Sequence, residues 1–235
     1  MRNIVDIFKD VIEGLGVTIP INTVTDNLDG TYTLLVDKTK WLRPKSQNSL
    51  ATKITIGVNT YDVDSMVYNE SVTITTDDDL SEAKEFSIAA PAYINGTQLS
   101  VQNARKNKNS WNVCPFVWLV EPFIADENKS KMTTIASKPD LTMLFLDNDN
   151  TNDWTTADRY SKVINPMDEL VEAFATALQK DRITFQKITN WQVIRHAKFG
   201  EQYKAGHLAS FINEKTSGIE VRFTVEILKD YSCCN

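Results

Sequence analysis

Histidine, cysteine and glycine are all scarce in this chain, and each shortage removes a class of chemistry. Two histidines, His196 and His207, occur in 235 residues, which leaves few ways to build a general base, a zinc site or a nucleophile relay. The three cysteines, Cys114 and the adjacent Cys233 and Cys234, are odd in number and lack CxxC spacing, so neither a disulfide framework nor a zinc site is expected. The eight glycines form no GxGxxG, Walker or GxSxG pattern, and HExxH is also missing, so no phosphate cradle or familiar catalytic motif is expected. Long apolar runs are absent too. Phe116, Val117, Trp118, Leu119 and Val120 stop at Glu121 and Pro122, whereas a membrane helix needs about 20 apolar residues. Asp6, Lys9 and Asp10 interrupt the first segment before a signal-peptide core develops, so synthesis in the cytoplasm is expected. No catalytic residue, cofactor, metal or membrane partner is assigned.

What the chain has is an ordinary globular balance, 42% hydrophobic and 24% charged, enough to bury a core. Its net charge of −6 argues against a dedicated phosphate-backbone binder. Ile4, Val5, Ile7, Phe8, Val11, Ile12 and Leu15 recur at helical spacing, predicting a helix over about residues 4–14, capped by Asn3 and ended by left-handed Gly14 and Gly16. A second helix is predicted after Asn165 and Pro166, with Asn165 as its cap and Met167, Leu170, Val171, Phe174 and Leu178 as its stripe. Most of the rest alternates like strands. Strands over 23–25 and 31–36 flank a hairpin turn at Asp29 and Gly30, and the closing segment alternates Ile219, Val221, Phe223, Val225 and Ile227 with Glu220, Arg222, Thr224 and Glu226. The predicted fold is α+β, an antiparallel sheet with two main helices packed on one face. Residues 1–45 and 111–235 are expected to form this core, and 46–110 a small all-β insertion.

Three clusters invite a chemical reading. Asp147, Asp149 and Asp153, in a run of Asp and Asn, supply oxygens at alternate positions as a calcium loop does, but Asn152 stands where such a loop needs Gly and Asp158 where it needs Glu. Lys38, Lys40, Arg43 and Lys45 surround Trp41 in a pattern suited to a nucleic-acid backbone and a stacked base, although a loop packing Trp41 on the core is the simpler account. His196 sits in a predicted strand and is expected to be structural. A loop holding Phe199 and Tyr203 suits protein contact.

The helix over 4–15, the helix opening at Asn165 and Pro166 after a sheet, and the closing strand over 219–227 together resemble the neck and tail-completion proteins of tailed bacteriophages. That group includes tail-terminator-like proteins and the head–tail connector ring proteins of crAss-like podoviruses. The resemblance implies a non-enzymatic virion protein that forms a cyclic homo-oligomer, joins portal or adaptor to tail, and lines the DNA passage without reading its sequence. A ring needs two different faces on each subunit. With the final strand at a sheet edge, Phe223, Val225 and Ile227 would form one interface, with Phe199 and Tyr203 in a second contact. Two other readings stand beside it. One is a host-surface or carbohydrate-binding module stacking sugars on Trp41, Trp111, Trp118, Trp154 and Trp191; the other is an enzyme with an Asp-bound metal at Asp147, Asp149 and Asp153.

Overall fold

Asn3 opens the first helix, α1 (Ile4–Glu13), by accepting the Val5 amide on its side chain at 3.1 Å, satisfying one of the donors that a helix start leaves over. The computed structural model describes residues 3–45, 52–97, 115–127, 135–148, 154–197 and 216–228. Helix α1 buries Ile7, Phe8 and Ile12, the stripe its spacing predicts. It ends at Gly14 without a left-handed residue: Gly14 has φ −78° and donates to the Asp10 carbonyl at 3.0 Å, while Leu15 donates to Ile12.

The second helical stretch starts earlier than its sequence suggests. Thr155 is the cap, exchanging hydrogen bonds with Asp158 in a capping box. The path runs through α2 (Thr156–Arg159), a π-helical turn over Tyr160–Ile164 and α3 (Asn165–Lys180). Asn165 is therefore inside a continuous helix and caps nothing. Pro166 supplies the reason, since it has no N–H to give and its ring crowds the carbonyl four residues back; the wider π turn just before it absorbs that mismatch.

The strands make three sheets. The first, with order β1-β8-β4-β5, joins β1 (Val17–Pro20), β4 (Lys53–Ile56), β5 (Asn59–Asp62) and β8 (Glu85–Ile88). The second, ordered β2-β3-β7-β6, joins β2 (Thr23–Asp26), β3 (Thr31–Leu35), β6 (Ser65–Val67) and β7 (Ser71–Thr75). The third and largest is ordered β13-β14-β12-β10-β9, with β11 paired on β12. Its strands are β9 (Ala92–Gly96), β10 (Phe116–Val120), β11 (Ile124–Glu127), β12 (Ile135–Asn148), β13 (Phe185–His196) and β14 (Thr216–Leu228). All its pairs are antiparallel except β9 with β10. The α+β class is thus as predicted.

The division of the chain differs from expectation. β1 pairs with β8, and β3 pairs with β7 from Thr31↔Thr75 to Leu35↔Ser71, so residues 17–35 belong with 53–88 and do not join the C-terminal sheet. β9, inside the expected insertion, belongs to the large sheet. Hydrogen bonds between strands far apart in sequence override the boundary that composition suggests.

Helices α1 and α3 cover one face of the large sheet through an aromatic cluster. Phe8 lies 5.9 Å, centroid to centroid, from Phe223 and 5.8 Å from Phe185, and Phe174 lies 5.4 Å from Phe145 and 5.9 Å from Phe223. Trp191 closes the cluster at 5.3 Å from Phe223. Such tilted and edge-on pairs add to the hydrophobic term of burying each ring. The opposite face carries a second buried group, Phe116, Trp118, Leu144 and Leu146.

The final strand is not an edge. β14 is hydrogen-bonded on both sides, to β12 and to β13, and Phe223, Val225 and Ile227 are buried in the chain's own core. The edge pairing expected of them is corrected: the residues alternate between buried and wetter positions, but the apolar face meets α1 and α3. The edge on that side is β13, and among the described residues no strand pairs with its outer side.

Candidate functional site

Most of the charged residues singled out in the sequence that are described have partners within the chain. Asp147, at the end of β12, makes a salt bridge with the Arg43 guanidinium, both side chains 2% exposed. Arg43 also reaches the Asn148 carbonyl at 3.3 Å. The oxygen offered to a metal in the sequence reading is thus held by a cation from the loop after β3. Asp149 and Asp153 lie outside the described residues. Among the described residues no group of three or more His, Cys, Asp and Glu is placed to hold a metal.

Much of the basic segment over 38–45 also has partners within the chain, while Lys38 is exposed. Trp41 is buried, its Nε1 3.4 Å from the Ala89 carbonyl. Lys40 faces Glu169 at 3.3 Å, and Lys45 faces Asp64 at 3.0 Å and Asp62 at 3.5 Å. Lys40, Arg43 and Lys45 of the array suited to nucleic acid are thus taken by carboxylates of the same chain. The sequence shows the cations but not the carboxylates that fold back on them.

Glu169, on α3, is the hub of a polar clamp between that helix and the second sheet. It accepts the Tyr68 hydroxyl at 2.6 Å and the Asn69 side-chain amide at 3.2 Å. Asn69, at φ 55°, in turn accepts the Thr39 amide on its Oδ1 at 2.9 Å. Burial acts to raise the Glu169 carboxyl, but the bonds from Tyr68 and Asn69 and the Lys40 charge outweigh it and hold it below its usual value. Burial first, then Glu169, push the Tyr68 phenol up, so it remains a donor.

A second cluster lies on the large sheet. His196 Nε2 is 3.0 Å from Glu220 Oε2, and Arg222 donates to Glu220 Oε1 at 2.5 Å. Burial would raise Glu220; the bonds from His196 and Arg222 outweigh it and lower it. His196 is 1% exposed. Of the tryptophans described, Trp41 and Trp118 are buried, Trp191 packs on Phe174 and Phe223, and Trp154 stacks under Lys162 at 4.9 Å. Phe199, Tyr203, Trp111 and His207 lie outside the described residues.

What faces outward is a different set. Leu28 is 91% exposed, Val58 95%, Ile183 89% and Ile124 76%. Leu28 and Val58 cap the β2–β3 and β4–β5 hairpins, Ile183 stands where α3 passes into β13, and Ile124 opens β11. Single apolar residues on turns belong to no periodic pattern, so nothing in the sequence marks them. Comparison of the chain with protein-family models, with curated proteins and with solved structures finds no match. No helix among the described residues is long and apolar enough to cross a membrane.

Proposed function

We propose that this chain is a structural virion protein that forms an oligomeric ring in a phage neck, connecting portal or adaptor to tail around the DNA passage. The observation that carries the reading is β13, a strand of twelve residues at the border of the large sheet with no strand on its outer side among the described residues. An open edge of that length offers backbone donors and acceptors to a neighbouring subunit. The bulges between Phe185 and Lys187 and between Thr189 and Gln192 restrict indiscriminate pairing along it. The net charge of −6 suits a wall past which DNA slides, because phosphates are repelled where a basic wall would hold them.

The two other readings fare less well. A sugar-stacking surface needs presented rings, and Trp41 and Trp118 are buried. An Asp-metal centre needs Asp147 free of cations, and Arg43 pairs with it.

The test is the mass of the purified chain in solution, alone and mixed with portal and tail proteins of the same genome. A closed multimer, or a monomer that becomes a ring on those partners, is the expected result. A monomer that ignores every virion protein overturns the reading.

A further inference from the structure

Of the exposed apolar side chains, Leu28 and Val58 stand on hairpin tips and Ile183 at the corner between α3 and β13, and the charges around the two places differ. The Thr76 amide donates to the Gly30 carbonyl at 3.1 Å, and Asn59 donates to Asp78 at 3.1 Å. The Leu28 hairpin, the Val58 hairpin and the turn over 76–79 therefore share one end. The segments 26–31, 57–60 and 76–82 contain Asp26, Asp29, Asp77, Asp78, Asp79 and Glu82 and no Lys or Arg. At the other place Ile183 stands among Lys180, Arg182 and Lys187, all exposed, with Asp181 turned onto the Ile183 and Thr184 amides, which leaves a net positive corner.

The two places are tied to different parts of the large sheet. The β-rich half is held at one end of the large sheet by Arg43 on Asp147 and by Tyr68 on Glu169. Asp147 pairs in register with Ser217, whereas the Ile183 corner lies beside Phe185, which pairs with Ile227. Ten residues of β14 separate those positions, about 33 Å of strand. The hairpin tips lie at the end of β7 away from Tyr68.

Leu28 is also costly where it is. It sits at φ 61°, a left-handed conformation unfavourable for a leucine, and it gains almost no burial there. Its loop is nonetheless held firm: Asp26 accepts the Leu28 amide at 2.8 Å, Asp29 accepts the Thr31 amide and hydroxyl at 3.0 and 2.6 Å, and Asn27 donates to Thr33 at 3.0 Å.

We infer that the Leu28 and Val58 tips of one copy dock on the Ile183 corner of a second copy, with the aspartates of the tips against Lys180, Arg182 and Lys187. The contact is heterologous, because donor and receiver are different faces, so it propagates head to tail and closes when the rotation allows. It rests on the ring reading and names the subunit contact within it; the receiving corner is where the open strand β13 begins.

The experiment is sedimentation velocity on the full chain over a series of concentrations and salt, alone and with the portal and tail proteins. Leu28→Asn is the chosen apolar variant because Asn accepts the left-handed conformation, and an unchanged thermal melt verifies the fold. Leu28→Asn and Arg182→Glu are each expected to weaken assembly about tenfold or more, and Asp77→Lys combined with Arg182→Glu to restore it. An assembling wild type whose Leu28→Asn and Arg182→Glu variants assemble equally well overturns this contact and leaves the ring reading standing. A wild type that remains monomeric alone and on its partners overturns both.

Discussion

Tyr68 and Glu169, 101 residues apart, are joined by a hydroxyl-to-carboxylate hydrogen bond of 2.6 Å. That bond ties the β6–β7 turn to the first turns of α3, and with it the β-rich half to the helix that covers the large sheet. Tyr68→Phe removes the donor and leaves Asn69 and Lys40 on the carboxylate. A loss of about 1.5 kcal/mol is expected, read from urea unfolding, with little change in the denaturant slope. Glu169→Gln removes the charge for all three partners and is expected to cost more.

Asp147 and Arg43 form the second tie between the halves, and it is fully buried. Asp147→Asn leaves the guanidinium without its counter-charge, at a cost of about 3–5 kcal/mol. Replacing both, as Arg43→Met with Asp147→Leu, is expected to recover much of that loss, since a buried pair offsets little beyond its own desolvation. A double-mutant cycle by thermal or chemical denaturation measures the recovery. If Asp147 bound calcium instead, added calcium would raise the melting temperature of the wild type; no such shift is expected.

Gly218 is required by packing. A Cβ there would press on the Phe145 carbonyl oxygen and stand 2.9 Å from Leu146 Cδ2, where β14 runs beside β12. Gly218→Ala forces those strands apart, and about 2–3 kcal/mol of destabilisation is expected. Hydrogen exchange localises the effect to the Gly218↔Leu146 and His196↔Gly218 pairings.

Acid weakens the fold by a route that can be assigned. Glu169 and Glu220 are both held below the ordinary glutamate value of 4.5, so the unfolded chain binds protons more readily than the folded one. The stability they contribute is present above that value and is lost as the pH falls through their lowered folded values. Melting temperatures measured from pH 6 downward are expected to fall in that range, and Glu169→Gln is expected to flatten the decline.

Local pattern determined much of this protein. The 3.6-residue period of α1 and α3, the two-residue period of β14 and the turn at Gly30 are each written in neighbouring residues, because an element's own backbone geometry sets which side chains share a face. The α+β class followed from them. The short strands β1, β5, β6, β9 and β11, of three to five residues, are too brief for a period to register; β5 and β6 form in hairpins with β4 and β7, whereas β1 and β9 form because partners far along the chain complete their hydrogen bonds. The candidate site was legible only as composition. Aspartates, lysines and tryptophans were visible, but whether each is free or engaged depends on residues as far away as Arg43 is from Asp147. Tertiary structure decided the rest: that β14 is interior and β13 the edge, that Phe223 belongs to the core, and that Leu28, Val58 and Ile183 are left facing outward. The physical reason is the same throughout. Periodicity is a property of one segment, whereas burial, pairing and charge neutralisation are properties of two segments brought together by the fold.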